Sequence, residues 1–269
     1  FYFYIDTQLM AYNTILTEKK NSVLYITLNR PDVYNAFNDE MTYELQDAFK
    51  NDAAADDVRC VVITGAGKAF CSGQDLKDFT DKKSTFKEAL DKRYNPLIKL
   101  ITGLPKPVIA SINGVAAGAG LSLALACDYR IAVESATLIE VFINVGLVPD
   151  SGSSFYLLKI LGYAKAFELC ATGDKVTAKE AKELGLINKM VSNGTVLKKI
   201  TEQVAGNFAS KPTFAIGMIK DMLQKAAHSP LEDILELEAQ HQQSAGNSAD
   251  FKEGVAAFLE KRKPKFTGK

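Results

Sequence analysis

Residues 104–120 read Leu-Pro-Lys-Pro-Val-Ile-Ala-Ser-Ile-Asn-Gly-Val-Ala-Ala-Gly-Ala-Gly, an apolar strand that enters a loop of small residues and passes into the apolar helical run 121–127. At such a junction the first-turn amides of the helix have no partner within it, and small side chains leave them uncovered. The stretch therefore reads as a place where backbone N–H groups meet an oxyanion or a phosphate. Taken alone, a tight turn with close helix packing explains the glycines equally well.

Spacing narrows the choice. A dinucleotide fingerprint requires a third glycine three residues after the second, and here Gly118 and Gly120 are followed by Leu123, although Glu140 lies twenty residues beyond Gly120. The other glycine-rich stretch, Gly65-Ala66-Gly67-Lys68-Ala69, has Val62 where a P-loop has glycine and Ala69 where it has Ser or Thr. A second loop decides the matter. Arg59-Cys60-Val61-Val62-Ile63-Thr64-Gly65 reads as a buried strand, followed by Gly67-Lys68-Ala69-Phe70-Cys71-Ser72-Gly73-Gln74-Asp75-Leu76. Two strand-then-glycine-loop units can supply one N–H each to a single oxyanion.

Together with Asn29-Arg30-Pro31 and Asn113-Gly114, these motifs resemble the crotonase family, also called the enoyl-CoA hydratase/isomerase family, over essentially residues 10–269. The resemblance implies an α/β fold: a spiral of β-β-α units forming two nearly perpendicular sheets, with C-terminal helices that build a homotrimer or a dimer of trimers. On that basis residues 10–195 are expected to form the spiral core with the thioester site, and residues 196–269 the helical oligomerisation region. The implied substrate is a thioester of coenzyme A, its carbonyl oxygen held by the backbone N–H groups of Gln74 and Ala119. No separate cofactor is expected, since coenzyme A is part of the substrate, and no metal. The resemblance also places the coenzyme A moiety against Lys68, Ser72, Gln74, Asp75, Leu76, Lys77 and Gly118. Phe258 and Lys261, in the tail Phe258-Leu259-Glu260-Lys261-Arg262-Lys263, match the segment that meets the adenine and phosphates, often across a subunit boundary. Read without the resemblance, that basic cluster is a solvated helix end favoured by the helix dipole.

Composition agrees with a large core. The chain has 269 residues, 47% of them hydrophobic, and 32 basic against 32 acidic side chains, so no overall charge imbalance points to nucleic acid or a membrane surface. No apolar run approaches transmembrane length, and the opening Phe1-Tyr2-Phe3-Tyr4-Ile5-Asp6 is not patterned as a signal peptide. Met10 reads as the natural start. Cys60, Cys71, Cys127 and Cys170 are widely spaced, with no Cys-x-x-Cys pair to suggest a disulfide framework or zinc site, and the expected location is the reducing cytoplasm.

Strands are expected at residues 23–29, 59–64, 107–112 and 129–133, and a helix at 38–51 with Met41, Leu45, Ala48 and Phe49 on one face. From Thr177 the pattern turns helical. Thr177 with Glu180 forms a capping box, Ser229-Pro230-Leu231-Glu232 forms a second with proline at the first helical position, and Asp250 with Glu253 opens a third helix. The apolar faces Leu231, Ile234, Leu235, Leu237 and Phe251, Val255, Phe258, Leu259 call for cover by neighbouring subunits.

For acid and base, the resemblance shows a departure. Hydratases of the family carry two glutamates that bind and activate water, and at the matching positions this chain has Ser122 and Phe142. Hydration is therefore disfavoured. Glu140, two positions from Phe142 and on the same face of an extended segment, stays in reserve. Asp150, in Gly146-Leu147-Val148-Pro149-Asp150-Ser151-Gly152, stands where isomerases and a dehalogenase of the family place a lone catalytic aspartate; on bare sequence the favoured reading is the N-cap of a helix near Ser151, and the missing glutamate pair reverses that preference. A single carboxylate beside an oxyanion hole can take a proton from one carbon and return it to another, which is isomerisation. His228 and His241 lie in polar helical stretches and suggest no histidine-based site, and Cys71 reads as packing.

Within the family, Tyr94-Asn95-Pro96-Leu97, Leu104-Pro105-Lys106-Pro107, the 114–120 loop and the 146–150 stretch are most similar to the isomerases of ring-1,2-epoxyphenylacetyl-CoA, with Ser153-Ser154 as a departure. The implied reaction is conversion of a ring epoxide to an oxepin thioester. The alternatives are a general 3-enoyl-CoA to 2-enoyl-CoA isomerase and, in another class, a non-catalytic binding protein of crotonase fold.

Overall fold

The protein is described here by a computed structural model covering residues 12–77 and 85–269; the expected start at Met10 lies outside the described residues. Two sheets organise the chain. The first has the order β1 (Ile15–Lys20), β2 (Val23–Leu28), β3 (Cys60–Gly65), β5 (Val108–Ile112), β7 (Tyr129–Val133) and β10 (Lys189–Val191), and the second β4 (Ala69–Cys71), β6 (Val115–Ala117), β8 (Thr137–Ile139) and β9 (Lys175–Thr177). β1 and β2 form an antiparallel hairpin with Lys20 opposite Val23. Asn21 and Ser22 between them both have positive φ, 52° and 60°, the mirror-image turn whose twist matches that of the strands it joins. From β2 to β10 the first sheet is parallel.

Parallel strands are covered on both faces and read as unbroken apolar runs. β3 (CVVITG) and β5 (VIASI) have almost no exposed position, which is why they were visible in the sequence. Each unit then repeats one pattern: a long strand in the first sheet, a turn, a three-residue strand in the second sheet, and a helix. β3–β4 leads to α1's neighbours in the core, α1 being Asp39–Lys50; β5–β6 leads to α4 (Ala119–Ala126), and β7–β8 to α5 (Ser153–Thr172). Between β4 and β5 come α2 (Phe86–Ala89), a wide π turn at Leu90–Tyr94, and α3 (Asn95–Gly103). This is the expected spiral of β-β-α units. The three-residue strands went unread because that length is too short to display an alternation.

α4 is buried at all eight positions, as its unbroken apolar sequence requires. α5 is interrupted at Gly162 (φ 72°, ψ 171°). After β9 come α6 (Ala178–Glu183), α7 (Gly194–Ala209), α8 (Thr213–Ala226), α9 (Leu231–Gly246) and α10 (Ala249–Leu259). The expected boundary at 195/196 falls inside α7, which lies on the first sheet with Leu197, Thr201 and Ala205 buried and the Thr201 hydroxyl 2.9 Å from that of Ser111. α8 is fixed by Lys220, whose Nζ donates to Asp128 Oδ2 at 2.8 Å and to the Ile101 carbonyl at 2.9 Å.

Helix starts test the capping signals. Thr177 caps α6 by accepting from the Glu180 N–H, one half of the expected box; the Glu180 carboxylate lies 3.7 Å from Lys165 Nζ instead. Two others differ. α9 begins after Pro230 with no side-chain cap, so Ser229 does not form its box. α10 is capped by Ser248, which accepts from the Phe251 N–H; Asp250 instead sits 3% exposed and accepts from the Thr267 and Gly268 N–H groups at 2.6 and 2.8 Å. A carboxylate able to take two backbone donors from the returning tail gains more there than at an exposed helix start. Ile234 is buried within the chain, while Leu231, Leu235, Phe251, Val255, Phe258 and Leu259 are exposed.

The two layers meet where side chains are smallest. A Cβ added at Gly120 stands 2.3 Å from the Cys71 carbonyl oxygen, whereas one added at Gly206 meets nothing within 4 Å. Gly120→Ala is expected to destabilise the protein by about 1–3 kcal/mol, and Gly206→Ala, in the last turn of α7, to stabilise it by up to about 1 kcal/mol. Chemical denaturation of the two variants against the parent measures both signs.

Candidate active site

The loop after β3 is held from two sides by asparagines. Asn35 Nδ2 donates to the carbonyls of Ala66 and Ala69 at 2.9 and 2.8 Å, and its Oδ1 accepts from the Arg30 N–H. Asn113 Nδ2 donates to Gly67 and Ala69, and its Oδ1 accepts from the Gly65 N–H. The Asn29-Arg30-Pro31 and Asn113-Gly114 motifs thus serve to fix the loop. Arg30 continues the clamp, donating to the Ala36 carbonyl and to Asp75 Oδ2 at 3.0 Å.

Gln74 faces Phe37 in a parallel bridge. Phe37 N–H donates to Gly73 O at 2.7 Å and Asp75 N–H donates to Phe37 O at 2.8 Å. In a parallel pairing the residue between those two bonds turns its own N–H and C=O to the opposite side. The Gln74 amide therefore points away from Phe37. The start of α4 lies close by: a Cβ built on Gly73 comes 3.6 Å from the Ala119 nitrogen. α4 starts at Gly118 (φ 49°, ψ −126°) with no side-chain cap, a conformation that only glycine adopts without strain. The Gln74 and Ala119 loops are thus brought together.

Asp150 joins them through Ser122. The Ser122 hydroxyl, 0% exposed, shares its proton between the carbonyls of Gly118 at 3.2 Å and Asp150 at 3.1 Å. Ser151 (φ 52°) and Gly152 (φ 82°) make a sharp turn after Asp150, and Gly152 is the N-cap of α5, with no side-chain cap bond. The capping reading of Asp150 is therefore wrong: its carboxylate accepts from Ser151 Oγ at 2.8 Å. Burial raises its pKa above the ordinary aspartate value, and the Ser151 bond opposes the shift.

Glu140 lies in the wall of the same region. Gly118 N–H donates to the Ile139 carbonyl, and a Cβ on Gly118 would meet Val141 Cγ1 at 3.1 Å. Glu140 is 2% exposed; its Oε1 accepts from Ser153 Oγ at 2.6 Å, and its Oε2 is buried with no hydrogen-bond partner. Burial pushes its pKa up to about 7, the Ser153 bond lowers it, and the charge of Asp150 adds to the rise. Phe142 is buried, its ring 3.6 Å from the position of a Gly118 Cβ.

The remaining sequence-read residues divide. Lys68, Leu76 and Lys77 are exposed around the Gln74 loop. Ser72 and Asp75 hold the loop itself, Ser72 Oγ donating to Val33 O and Asp75 Oδ1 accepting from the Lys77 N–H. Phe258 and Lys261 are not brought to these residues within one chain. The tail they precede is bonded to Arg59, which donates to the Phe266 carbonyl, at the end of β3 opposite to the Gln74 loop. His241 pairs with Asp221 and His228 lies against Phe155, so neither belongs to the group. Cys60, Cys71 and Cys127 are buried free thiols that burial pushes up to about 12, which makes them packing residues. Among the described residues no cluster of three or more His, Cys, Asp or Glu is arranged to hold a metal ion, and no helix is long and apolar enough to cross a membrane. Sequence reasoning assigned no role to Ser122 as a bridge or to Tyr94, whose hydroxyl donates to Gln74 Oε1.

Two glycine-lined amide loops meeting a half-buried aspartate on a β-β-α spiral suit an enzyme that places negative charge on a carbonyl oxygen. Residues 18–269 match the enoyl-CoA hydratase/isomerase family profile. The chain is 42% identical over 259 residues to 1,2-epoxyphenylacetyl-CoA isomerase of Escherichia coli K12, covering 95% of this chain and 98% of that protein. It is 36% identical to trans-2-decenoyl-[acyl-carrier-protein] isomerase of Streptococcus mutans, covering 97% and 100%. The solved enoyl-CoA hydratase of Bacillus anthracis superposes with a TM-score of 0.90 at 32% identity, covering 96% of this chain and 100% of that one. The chain belongs to the enoyl-CoA hydratase/isomerase family, whose members act on CoA thioesters, and is an enzyme of that family.

The buried Glu140 gives a pH-dependent stability. Both states hold its proton below the unfolded value near 4.5; as pH rises towards 7 the unfolded chain releases it first, so stability falls through that window and levels off above it. Glu140→Gln is expected to remove this slope and to be more stable than the parent at pH 8 by up to about 3 kcal/mol, with no gain near pH 4. Thermal unfolding across pH 4–8 measures it; a parallel loss in both proteins refutes the assignment.

Proposed function

We propose that the protein is an acyl-CoA isomerase in which the Gln74 and Ala119 amides stabilise the thioester oxyanion and Asp150 carries the proton between carbons. The observation that carries this reading is the Ser122 bridge, which ties the Asp150 turn to the Gly118 turn while Gly152 caps α5 and leaves the Asp150 carboxylate for chemistry. Removing a proton next to a thioester carbonyl puts charge on its oxygen. Preorganised amides lower that cost, each donor being worth roughly 2.7–4 kcal/mol in comparable sites. Asp150, with its pKa raised by burial, is a better base than an exposed aspartate.

Ser122 and Phe142 supply no carboxylate to activate water, and Ser122 is engaged with two carbonyls. The substrate that the reading favours is ring-1,2-epoxyphenylacetyl-CoA, rearranged to an oxepin thioester; its support is the E. coli relative at 42% identity. In this reading coenzyme A lies along the exposed Lys68, Leu76 and Lys77, no separate cofactor takes part, and Phe258 and Lys261 reach the site of a neighbouring subunit in a trimer or dimer of trimers.

Asp150→Asn is expected to lower isomerase turnover by at least on the order of a hundredfold while leaving thioester affinity largely intact, assayed on a panel of aromatic and aliphatic CoA thioesters. Near-normal turnover of this variant would transfer the role to Glu140. Hydration of crotonyl-CoA is expected to be far slower than isomerisation; comparable rates refute a single-carboxylate mechanism. Truncation after Asp250 is expected both to dissociate the oligomer in light scattering and to weaken coenzyme A binding, and a truncated chain unchanged in both respects rules the tail out.

A further inference from the structure

The amide of Gln74 is only as well aimed as the side chain that shares its residue. Gln74 Nε2 donates to the Phe37 carbonyl at 3.1 Å and the Asp75 carbonyl at 3.0 Å, and its Oε1 accepts from the Tyr94 hydroxyl. The side chain is thus held at both ends by protein groups. Phe37 and Asp75 belong to the bridge that orients Gln74 already; Tyr94 comes from a different part of the chain.

Tyr94 ends a helical turn that is wound too wide. The Asn95 N–H donates to the Leu90 carbonyl, five residues back, and within this turn Arg93 is 3% and Tyr94 6% exposed. Such turns are rare and concentrate at functional sites. Pro96 contributes a cause, since it has no N–H to give to the Lys92 carbonyl. Gln46 on α1 makes up the loss, its Nε2 donating to Lys92 O at 3.1 Å and to Arg93 O at 2.9 Å. Arg93 is paired with Asp39 of the same helix and lies 5.7 Å over the Tyr94 ring; the ring meets Phe37 edge-on, centroids 5.8 Å apart at 82°. Every contact of the turn holds the phenol ring in one place.

We propose that Tyr94, set by this wide turn, is a positioning residue that fixes the direction of the Gln74 amide towards the thioester oxygen. The proposal rests on the oxyanion reading of Gln74 given above. Tyr94 touches no substrate in it and acts only through the Gln74 side chain. Losing the hydroxyl leaves Oε1 without its donor and lets the side-chain amide turn, and with it the backbone of the residue; a misaimed donor weakens the transition state more than the ground state.

The test is Tyr94→Phe together with Gln74→Met, singly and combined, with two readouts: steady-state kinetics on the thioester turned over fastest, and the infrared shift of a 13C-labelled carbonyl in a bound, unreactive acyl-CoA. Tyr94→Phe is expected to lower kcat about tenfold to a hundredfold, less than the roughly hundredfold to thousandfold loss on removing an oxyanion donor outright, with KM and Tm close to the parent and a smaller carbonyl red shift. The double variant is expected to be no worse than Gln74→Met alone, as required when one residue acts through the other. A Tyr94→Phe protein with the parent's kcat and carbonyl shift overturns the proposal, as do additive losses in the double variant. A parent protein that shows no carbonyl shift overturns the oxyanion reading itself, and a parent with a normal shift but an indifferent Tyr94 overturns only the positioning role. If Tyr94→Phe is too unstable to assay, Gln74→Met carries the test: it keeps the backbone amide and loses all three side-chain bonds, and an undiminished carbonyl shift in it overturns the proposal.

Discussion

The approach of the Cys71–Gly73 backbone to the first turn of α4 is the contact on which the rest of the structure depends. It is possible only because Gly120 has no side chain between α4 and the Cys71 carbonyl. From it follow the placement of the second sheet against the first, the burial of α4, and the meeting of the Gln74 and Ala119 amides. The asparagines at 35 and 113, the Arg30–Asp75 pair and the Ser122 hydroxyl all work around this contact. They convert an apolar packing event into a defined direction for a few polar groups, and neutral hydrogen bonds of modest individual worth suffice when each buried donor and acceptor has one partner in place.

Much of this was legible in the residues. The strands of the first sheet announced themselves through unbroken apolar runs such as Val61-Val62-Ile63 and Val108-Ile109-Ala110, because burial on both faces leaves no room for alternation. The three-residue strands of the second sheet carried no such signal. Thr177 capped its helix as read, while the Glu180 carboxylate of the same box stands beside Lys165 instead. Asp250 did not, because the returning tail offers its carboxylate two backbone donors that lie seventeen and eighteen residues away in the chain.

The candidate site divides along the same line. Backbone donors are visible in sequence because they demand glycine and small residues at fixed places, so the 73–74 and 118–120 turns could be singled out. What side chains do there was hidden. That Glu140 has one oxygen on Ser153 and the other on nothing, that Ser122 joins two turns, and that a tyrosine twenty residues on holds Gln74 are all consequences of tertiary contacts. That Asp150 does not cap α5 is likewise seen only in the structure, where Gly152 starts the helix.

The complete burial of α4 has a consequence for cooperativity. A helix of eight residues without one exposed position gains nothing by forming in water and exists only when both sheets and α5 have closed around it. The Ala119 amide is therefore lost from any partly opened form in which either sheet or α5 has come away from α4. A ligand that binds this amide does not merely quiet a nearby loop: by mass action it opposes global unfolding, and amides across the first sheet, far from the ligand, become slower to exchange with solvent when it is bound.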